Sequence, residues 1–357
     1  MLHLTPTRWS VAAIALLAFA SGASAVQIEV TSVVAPGGGG PTTFNFTKPF
    51  TTVPLVFSLP TDQGGDPATV KIFNVTTTSF DITVAEPPGE DGPHAAMNVP
   101  ILAITEGSGT IGGLQFEAGR ISTTQVVSSG GGNADVSDFD SVFFASPFIT
   151  SPAVLAEIQT ANNETGTPPT TPSDPWLTVS IDSAGGGPSG SNIAPTGFRV
   201  ALDKAETGTG DVAVAEDIAY LALEQGVGNF FTDDGNAINF LSFISPNTIT
   251  GWTNGSGSVN VPYPADLGLN AVVLASLATR DGGDGGWLRS RGVTGTSIKH
   301  TTDEEQTNDT ERGHTDEAAS IIGFSGTFAG NIIPEPATAS LLLLGAAGIL
   351  RRRGRTA

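Results

Sequence analysis

Short apolar runs recur along the whole chain, each broken by glycine, proline or a polar cluster. Phe80, Ile82 and Val84 keep a period of two and fall on one face, as in a half-buried strand. Phe44-Asn45-Phe46 begins the same alternation, and Val142-Phe143-Phe144 resumes it. No segment sustains a helical period with caps at its ends. The stretch 213–225 is rich in Ala, Glu and Leu, yet it matches apolar runs that close two other blocks, so it reads as strand. The pattern predicts an all-β chain.

The runs also repeat as sets. Block 271–324 opens on Val272-Val273-Leu274, turns at Asp281-Gly-Gly-Asp284, continues through Trp287-Leu288-Arg289, and closes on Ile321-Ile322-Gly323-Phe324. Blocks 54–104 and 152–223 keep that order, from Leu55-Val56-Phe57 to Ile101-Leu102-Ala103-Ile104 and from Ala153-Val154-Leu155 to Tyr220-Leu221-Ala222-Leu223. His94 stands ten residues before Ile104 and His314 ten before Phe324, while Glu216 and Glu317 each stand seven before the end of their blocks. A period near a hundred residues implies tandem domains rather than a tight solenoid. The expected division is 26–106, 107–225 and 226–330, three tandem antiparallel β-sandwich domains. Three copies in one chain suggest an intramolecular pseudo-trimer.

Composition fits this picture. Gly 45 and Pro 24 suit short strands joined by tight turns. The absence of cysteine excludes a disulfide framework, a thiolate nucleophile and Cys-ligated zinc. The net charge is −20, and five of the fifteen bases lie near the ends: Arg8, Arg351, Arg352, Arg353 and Arg355. Setting those aside leaves ten bases against thirty-five acids. Such a surface repels nucleic acid and anionic lipid. Solubility in a salty exterior is the plain reading of it, and a surface that gathers cations the minor one.

Both ends carry targeting signals. Residues 1–25 read as a signal peptide, with Arg8 before an apolar core and Ala23-Ser24-Ala25 as the cleavage site. Residues 331–357 contain Pro334-Glu335-Pro336, a short apolar segment, and Arg351-Arg352-Arg353. This order resembles the PEP-CTERM sorting signal of Gram-negative surface and exopolysaccharide-associated proteins. The resemblance implies recognition by an exosortase, transient membrane association before processing, and a final place in the envelope or at the cell surface. The apolar segment as a helix spans about 21 Å, short of the hydrocarbon core.

A second resemblance lies in the repeated block. Phe50-Thr-Thr-Val-Pro54-Leu55-Val56, the run from Val70 to Phe80, and the closing Ile101-Leu102-Ala103 and Tyr220-Leu221-Ala222 are similar to the strands of H-type lectin domains. That resemblance covers roughly fifty residues per copy and implies a β-sandwich that binds a sugar between neighbouring domains. The family's central-strand arginine and its Trp-His pair do not match cleanly. Thr69, Trp176 or Trp287 stands at the strand position, with Lys71 and Arg289 nearby; neither His94 nor His314 follows a tryptophan, and Ala213 replaces the histidine in the second copy. The family's sugar preference therefore does not carry over.

The candidate carbohydrate-binding residues are Trp287, Arg289, Arg312, His314, His94 and Trp176. An aromatic ring stacks on a sugar's C–H face, and Arg and His supply directed donors. The competing reading has the tryptophans packing over sheet edges and the charged run as a solvated loop. Glu311-Arg312-Gly313-His314 reads as a hairpin tip, since the His and acidic spacing around it matches no compact metal motif. Asp62, Asp66, Asp281 and Asp284 lie in Gly-rich turns; calcium is the weaker reading there and turn chemistry the stronger. No cofactor is implied. With no G-x-S-x-G elbow and no P-loop, the expectation is a non-enzyme that binds a glycan or exopolysaccharide. The alternative is a structural, adhesive component of the envelope or biofilm matrix.

Overall fold

A computed structural model describes residues 26–38, 40–90, 92–127, 139–164, 175–181, 193–206, 210–255, 257–307 and 310–333. The expected signal peptide, and Pro334, Glu335, Pro336, Arg351, Arg352 and Arg353 of the expected sorting signal, lie outside them. So does most of the Thr- and Pro-rich insertion after Asn162. Every regular element among the described residues is a strand, and none is a helix able to cross a membrane.

In chain order the strands are β1 (Gln27–Ala35), β2 (Thr42–Asn45), β3 (Leu55–Ser58), β4 (Thr69–Phe73), β5 (Ser79–Ala85) and β6 (Met97–Ile104). Then come β7 (Gly107–Ile111), β8 (Leu114–Thr123), β9 (Val126–Val127), β10 (Asp140–Phe143), β11 (Ala153–Ile158), β12 (Thr178–Ile181), β13 (Gly197–Asp203) and β14 (Glu216–Leu223). The last group is β15 (Gly226–Phe231), β16 (Ala237–Ile244), β17 (Val259–Pro262), β18 (Val272–Leu277), β19 (Trp287–Val293), β20 (Ser297–Asp303), β21 (Ala319–Phe324) and β22 (Phe328–Asn331). The Ala- and Leu-rich stretch at 213–225 is indeed strand, as β14.

These strands form four four-stranded and two three-stranded sheets. Three of the four-stranded sheets run β3-β6-β1-β22, β11-β14-β8-β7 and β18-β21-β16-β15. The three-stranded ones run β4-β5-β2 and β19-β20-β17, and the remaining four-stranded sheet follows the matching path β12-β13-β10 with β9 added parallel to β13. Register repeats with the order: Leu55 faces Ile104, Ala153 faces Leu223, and Val272 faces Phe324. Each set therefore uses the same path, with its outermost strand delivered directly from the preceding set. For the first set that strand is β22, which directly follows β21 of the third set in sequence but pairs with β1. The chain thus closes on itself.

Sheet pairs enclose cores of their own. Phe80, Ile82 and Val84 meet Val56, Val99 and Ile101 in the first, and Phe198, Val200 and Leu202 meet Val154 and Ile218 in the second. Strands β3, β11 and β18 also approach one another. Phe57, Leu155 and Leu274, at matching register, enter one shared core, while Val56 and Val154 one residue earlier face the individual sandwiches. Burial on both faces explains why these strands read as unbroken apolar runs rather than alternating ones. The free edges of β3 and β11 are capped by neighbours. The Gln159 side chain donates to the Val56 carbonyl at 2.7 Å and accepts from its N–H at 2.9 Å, and Ser320 and Ser276 hydroxyls accept from the N–H groups of Val154 and Ala156.

Candidate functional site

Two buried carboxylates explain the repeated glutamate offset. Glu216 accepts from the Thr160 hydroxyl and from the N–H groups of Asn162 and Asn163 at 3.1 and 2.9 Å. Glu317 does the same for the Thr279 hydroxyl and for Asp281 and Gly282, at 2.7 and 3.0 Å. Each carboxylate thereby pins the loop that follows the opening strand of its own set. Met97 holds the corresponding place in the first set, where the Gln63 amide oxygen instead accepts from the Asn98 N–H.

The two histidines sit behind these loops rather than in open clefts. The His94 ring contacts the Asp66 and Ala95 carbonyls at 3.2 and 2.8 Å, and a Cβ on Gly64 would collide with it. His314 lies between Glu304 and Glu317, 2.9 Å from the latter, and a Cβ on Gly282 would collide with its ring. Burial lowers the His94 pKa. Burial pushes His314 down too, but its hydrogen bonds to Glu304 and Glu317 together outweigh that and leave it raised to about 9.

Glu311-Arg312-Gly313-His314 is accordingly no hairpin tip. Arg312 and His314 are buried, because their charges are matched by Asp303 and by the two glutamates. Arg289 is fully buried as well. It shares Asp303 with Arg312, and together the two guanidiniums donate to four carbonyls of the first set: Thr61 at 2.9 Å, Gln63 at 3.2 Å, Asp66 at 3.0 Å and Gly65 at 2.7 Å. They thus fasten loop 61–66 to the third set.

The two tryptophans pack against each other, edge to face at 5.5 Å, over Ala85. Trp287 donates to the Ala68 carbonyl at 2.8 Å. Register aligns Trp287 with Thr178 and Thr69, not with Trp176, which falls two residues earlier. All six residues nominated from the sequence (Trp287, Arg289, Arg312, His314, His94 and Trp176) are therefore buried at or behind the seams between sheet pairs. Their donors are spent on protein carbonyls and carboxylates, apart from the Trp176 indole N–H, which has no hydrogen-bond partner among the described residues. None offers a surface to a sugar.

What those residues support is an open cleft of about 340 Å³ on the same seam. Strand β19 carries a β-bulge: Ser290 pairs with His300 and Gly292 with Lys299, leaving Arg291 as the extra residue. Gly292 has φ 140°, a conformation that favours glycine. The bulge is specific to this strand, since β4 and β12 pair without a register shift. Before the bulge, Ser290 exchanges backbone hydrogen bonds with Pro60 and Asp62 at 2.8 and 2.9 Å, zipping the third set to the first. The bulge then turns Arg291 into the cleft, where it meets Asp62 at 3.2 Å. Gln63 and Asn98, both exposed, complete the polar wall.

Trp252, half-buried in the β16–β17 connection, anchors the arrangement. The guanidinium carbons of Arg289, Arg291 and Arg312 lie 4.8, 4.5 and 4.2 Å from its ring centre. Asp62 is thus engaged by Arg291, and Asp281 by Asn247 at 2.6 Å. Among the described residues no group of three or more His, Asp or Glu is placed to hold a metal ion.

Arg291, Gln63, Asn98 and Trp252 escape a search for aromatic-plus-His patterns, because the first set contributes half of the wall. One local signal does exist: the lone glycine in Trp287-Leu288-Arg289-Ser290-Arg291-Gly292-Val293 marks a bulge inside a strand pattern. No protein-family model, no curated protein and no solved structure matches this chain.

Proposed function

We propose that the chain is an exported surface protein that binds carbohydrate, an exopolysaccharide or cell-surface glycan, through the cleft between the third and first sheet pairs. On this reading the three sheet pairs are H-type lectin-like sandwiches arranged as a pseudo-trimer within one polypeptide. The observation that carries the proposal is the bulge that directs Arg291 into a cleft beside Asp62, Gln63 and Asn98. A guanidinium, a carboxylate and two amides within one concavity can donate to and accept from neighbouring hydroxyls, which is what a polyhydroxylated ligand requires. The resemblance of 331–357 to a PEP-CTERM signal supports processing by an exosortase and a place on the envelope of a Gram-negative bacterium.

A glycan array probed with residues 26–333 tests this. Binding to a defined set of glycans, lost in Arg291→Ala and weakened in Asp62→Asn, supports the lectin reading; silence across the array ends it. The second reading, a non-catalytic adhesive or structural component, is favoured by the burial of the six residues nominated from sequence. It predicts that silence together with retention of the protein in the surface matrix.

A further inference from the structure

The three seams between sheet pairs are not closed alike. At the third-to-first seam, β19 exchanges backbone hydrogen bonds with Pro60 and Asp62. By register, Ile72 of β4 takes the place of Ser290, and Gln159 the place of Thr61. Among the described residues no backbone hydrogen bond joins β4 to 158–160, and the Gln159 side chain is committed to Val56 instead. The first-to-second seam therefore stays open, and a cavity of about 70 Å³ occupies it. All three sheet pairs contribute to its lining.

The polar groups in this cavity do not balance. Lys71 pairs with Glu164, donates to the Leu177 carbonyl, and lies 4.5 Å above the Trp176 ring, so its ammonium is fully engaged. Among the described residues Glu157 accepts only from Ser58, at 3.4 Å from its N–H and 3.2 Å from its hydroxyl. The other polar groups lining the space are the neutral hydroxyls of Thr69, Thr160, Thr178 and Ser276. Two carboxyl groups thus face one ammonium. The rest of the wall is apolar, with Trp287 and Leu288 on the side of the third set.

We propose that this cavity binds the ammonium end of a small primary amine, with Glu157 as its counter-ion and the apolar wall covering a short carbon stem. A single cation of that size is the counter-ion that Glu157 needs once it ionises, since Lys71 is taken by Glu164, and the aromatic lining suits it. Burial holds Glu157 up at about 8 over its hydrogen bonds from Ser58, so the empty site carries a carboxylic acid at neutral pH. Entry of an ammonium group reverses the preference. The Glu157 O–H gives its proton to the buffer, and the resulting carboxylate pairs with the ligand.

The test uses n-propylamine, which is cationic at pH 7, against n-butanol as a neutral probe of similar shape. Calorimetry on the 26–333 protein at pH 7, in two buffers of different ionisation enthalpy, should show binding of n-propylamine with close to one proton released per amine. Tm should rise with the logarithm of amine concentration, and n-butanol should do neither. Glu157→Gln keeps an acceptor for Ser58 and should fold, yet lose both the binding and the proton release. Equal binding of n-butanol, retention of binding in Glu157→Gln, or wild-type binding with no proton released would each overturn the proposal, as would no binding at all. The proton count is read on the wild type, so it decides the matter even if the variant does not fold.

Discussion

Gln27 lies directly across from Asn331 in one antiparallel ladder, although they stand near opposite ends of the described chain. The next contact outward joins the Ile332 N–H to the Val26 carbonyl at 2.8 Å. The first four-stranded sheet is thus finished by the last strand of the chain. A circular permutant that links 333 to 26 and opens the β7–β8 turn at Gly112-Gly113 should fold with stability within about 1 kcal/mol of the parent. Truncation after Ser325, which strips β22 from β1 and exposes Phe230 and Phe324 of the shared core, should lose more than about 3 kcal/mol. Urea denaturation of both proteins checks the pair of outcomes.

Glu317→Ala should be among the most damaging single changes outside the apolar core. It leaves the Asp281 and Gly282 N–H groups, the Thr279 hydroxyl and His314 without their shared acceptor. A loss of about 3–5 kcal/mol is expected. Glu216→Ala should behave alike, and Met97→Ala, in the corresponding position, should cost only its packing. Equal effects at all three sites would show that the loop anchoring is unimportant.

Gly64→Ala and Gly282→Ala should both unseat a histidine, since the new methyl group falls on the His94 or His314 ring. Gly64 carries the added strain of φ 86°. Gly65→Ala, next to the first of them, meets nothing within 4 Å and is the control. Thermal unfolding should place the control near wild type and the other two lower by several degrees.

Stability should fall as pH rises from about 5 to 9. His314 is raised to about 9 against an unfolded value near 6.5, so its contribution is complete below 6.5 and lost as pH passes 9. Glu157 and Glu305, both held up at about 8 chiefly by burial, favour the folded state at low pH and lose that contribution between about 4.5 and 8. His300, which burial holds down at about 4, acts oppositely and loses its contribution only as pH falls from 6.5 towards 4. Urea midpoints across pH 5–9 should decline, and His314→Gln should flatten the part above 6.5. A flat or rising wild-type profile contradicts these assignments.

Deleting Arg291 should restore continuous pairing between β19 and β20. The protein should remain folded, with Tm lowered by a few degrees, and glycan binding should disappear along with the Arg291–Asp62 pair. Retained binding would move the site elsewhere.

Much of the architecture can be read from the residues. The alternation at Phe80, Ile82 and Val84 and the closing runs at Ile101 and Tyr220 locate strands because side-chain direction in a strand has a fixed period. The equal offsets of Glu216 and Glu317 also survive, since a loop anchor must keep its distance from the strand it serves. Chemistry at the seams was not legible in the same way. Arg289 and Arg312 look like surface donors in sequence, and only the fold supplies the loop carbonyls and Asp303 that bury them. The cleft is harder still to foresee, because Asp62 and Arg291 belong to different repeats and meet only after the chain has closed.

That closure also sets the direction in which the molecule faces. Val26 and Ile332 lie side by side at one rim, while Gln63 and Asn98 stand beside the far end of β1, about 23 Å along the strand at the usual rise per residue. A support coupled at Ile333 would therefore sit at the end of the molecule opposite the Arg291 cleft and leave its mouth unobstructed.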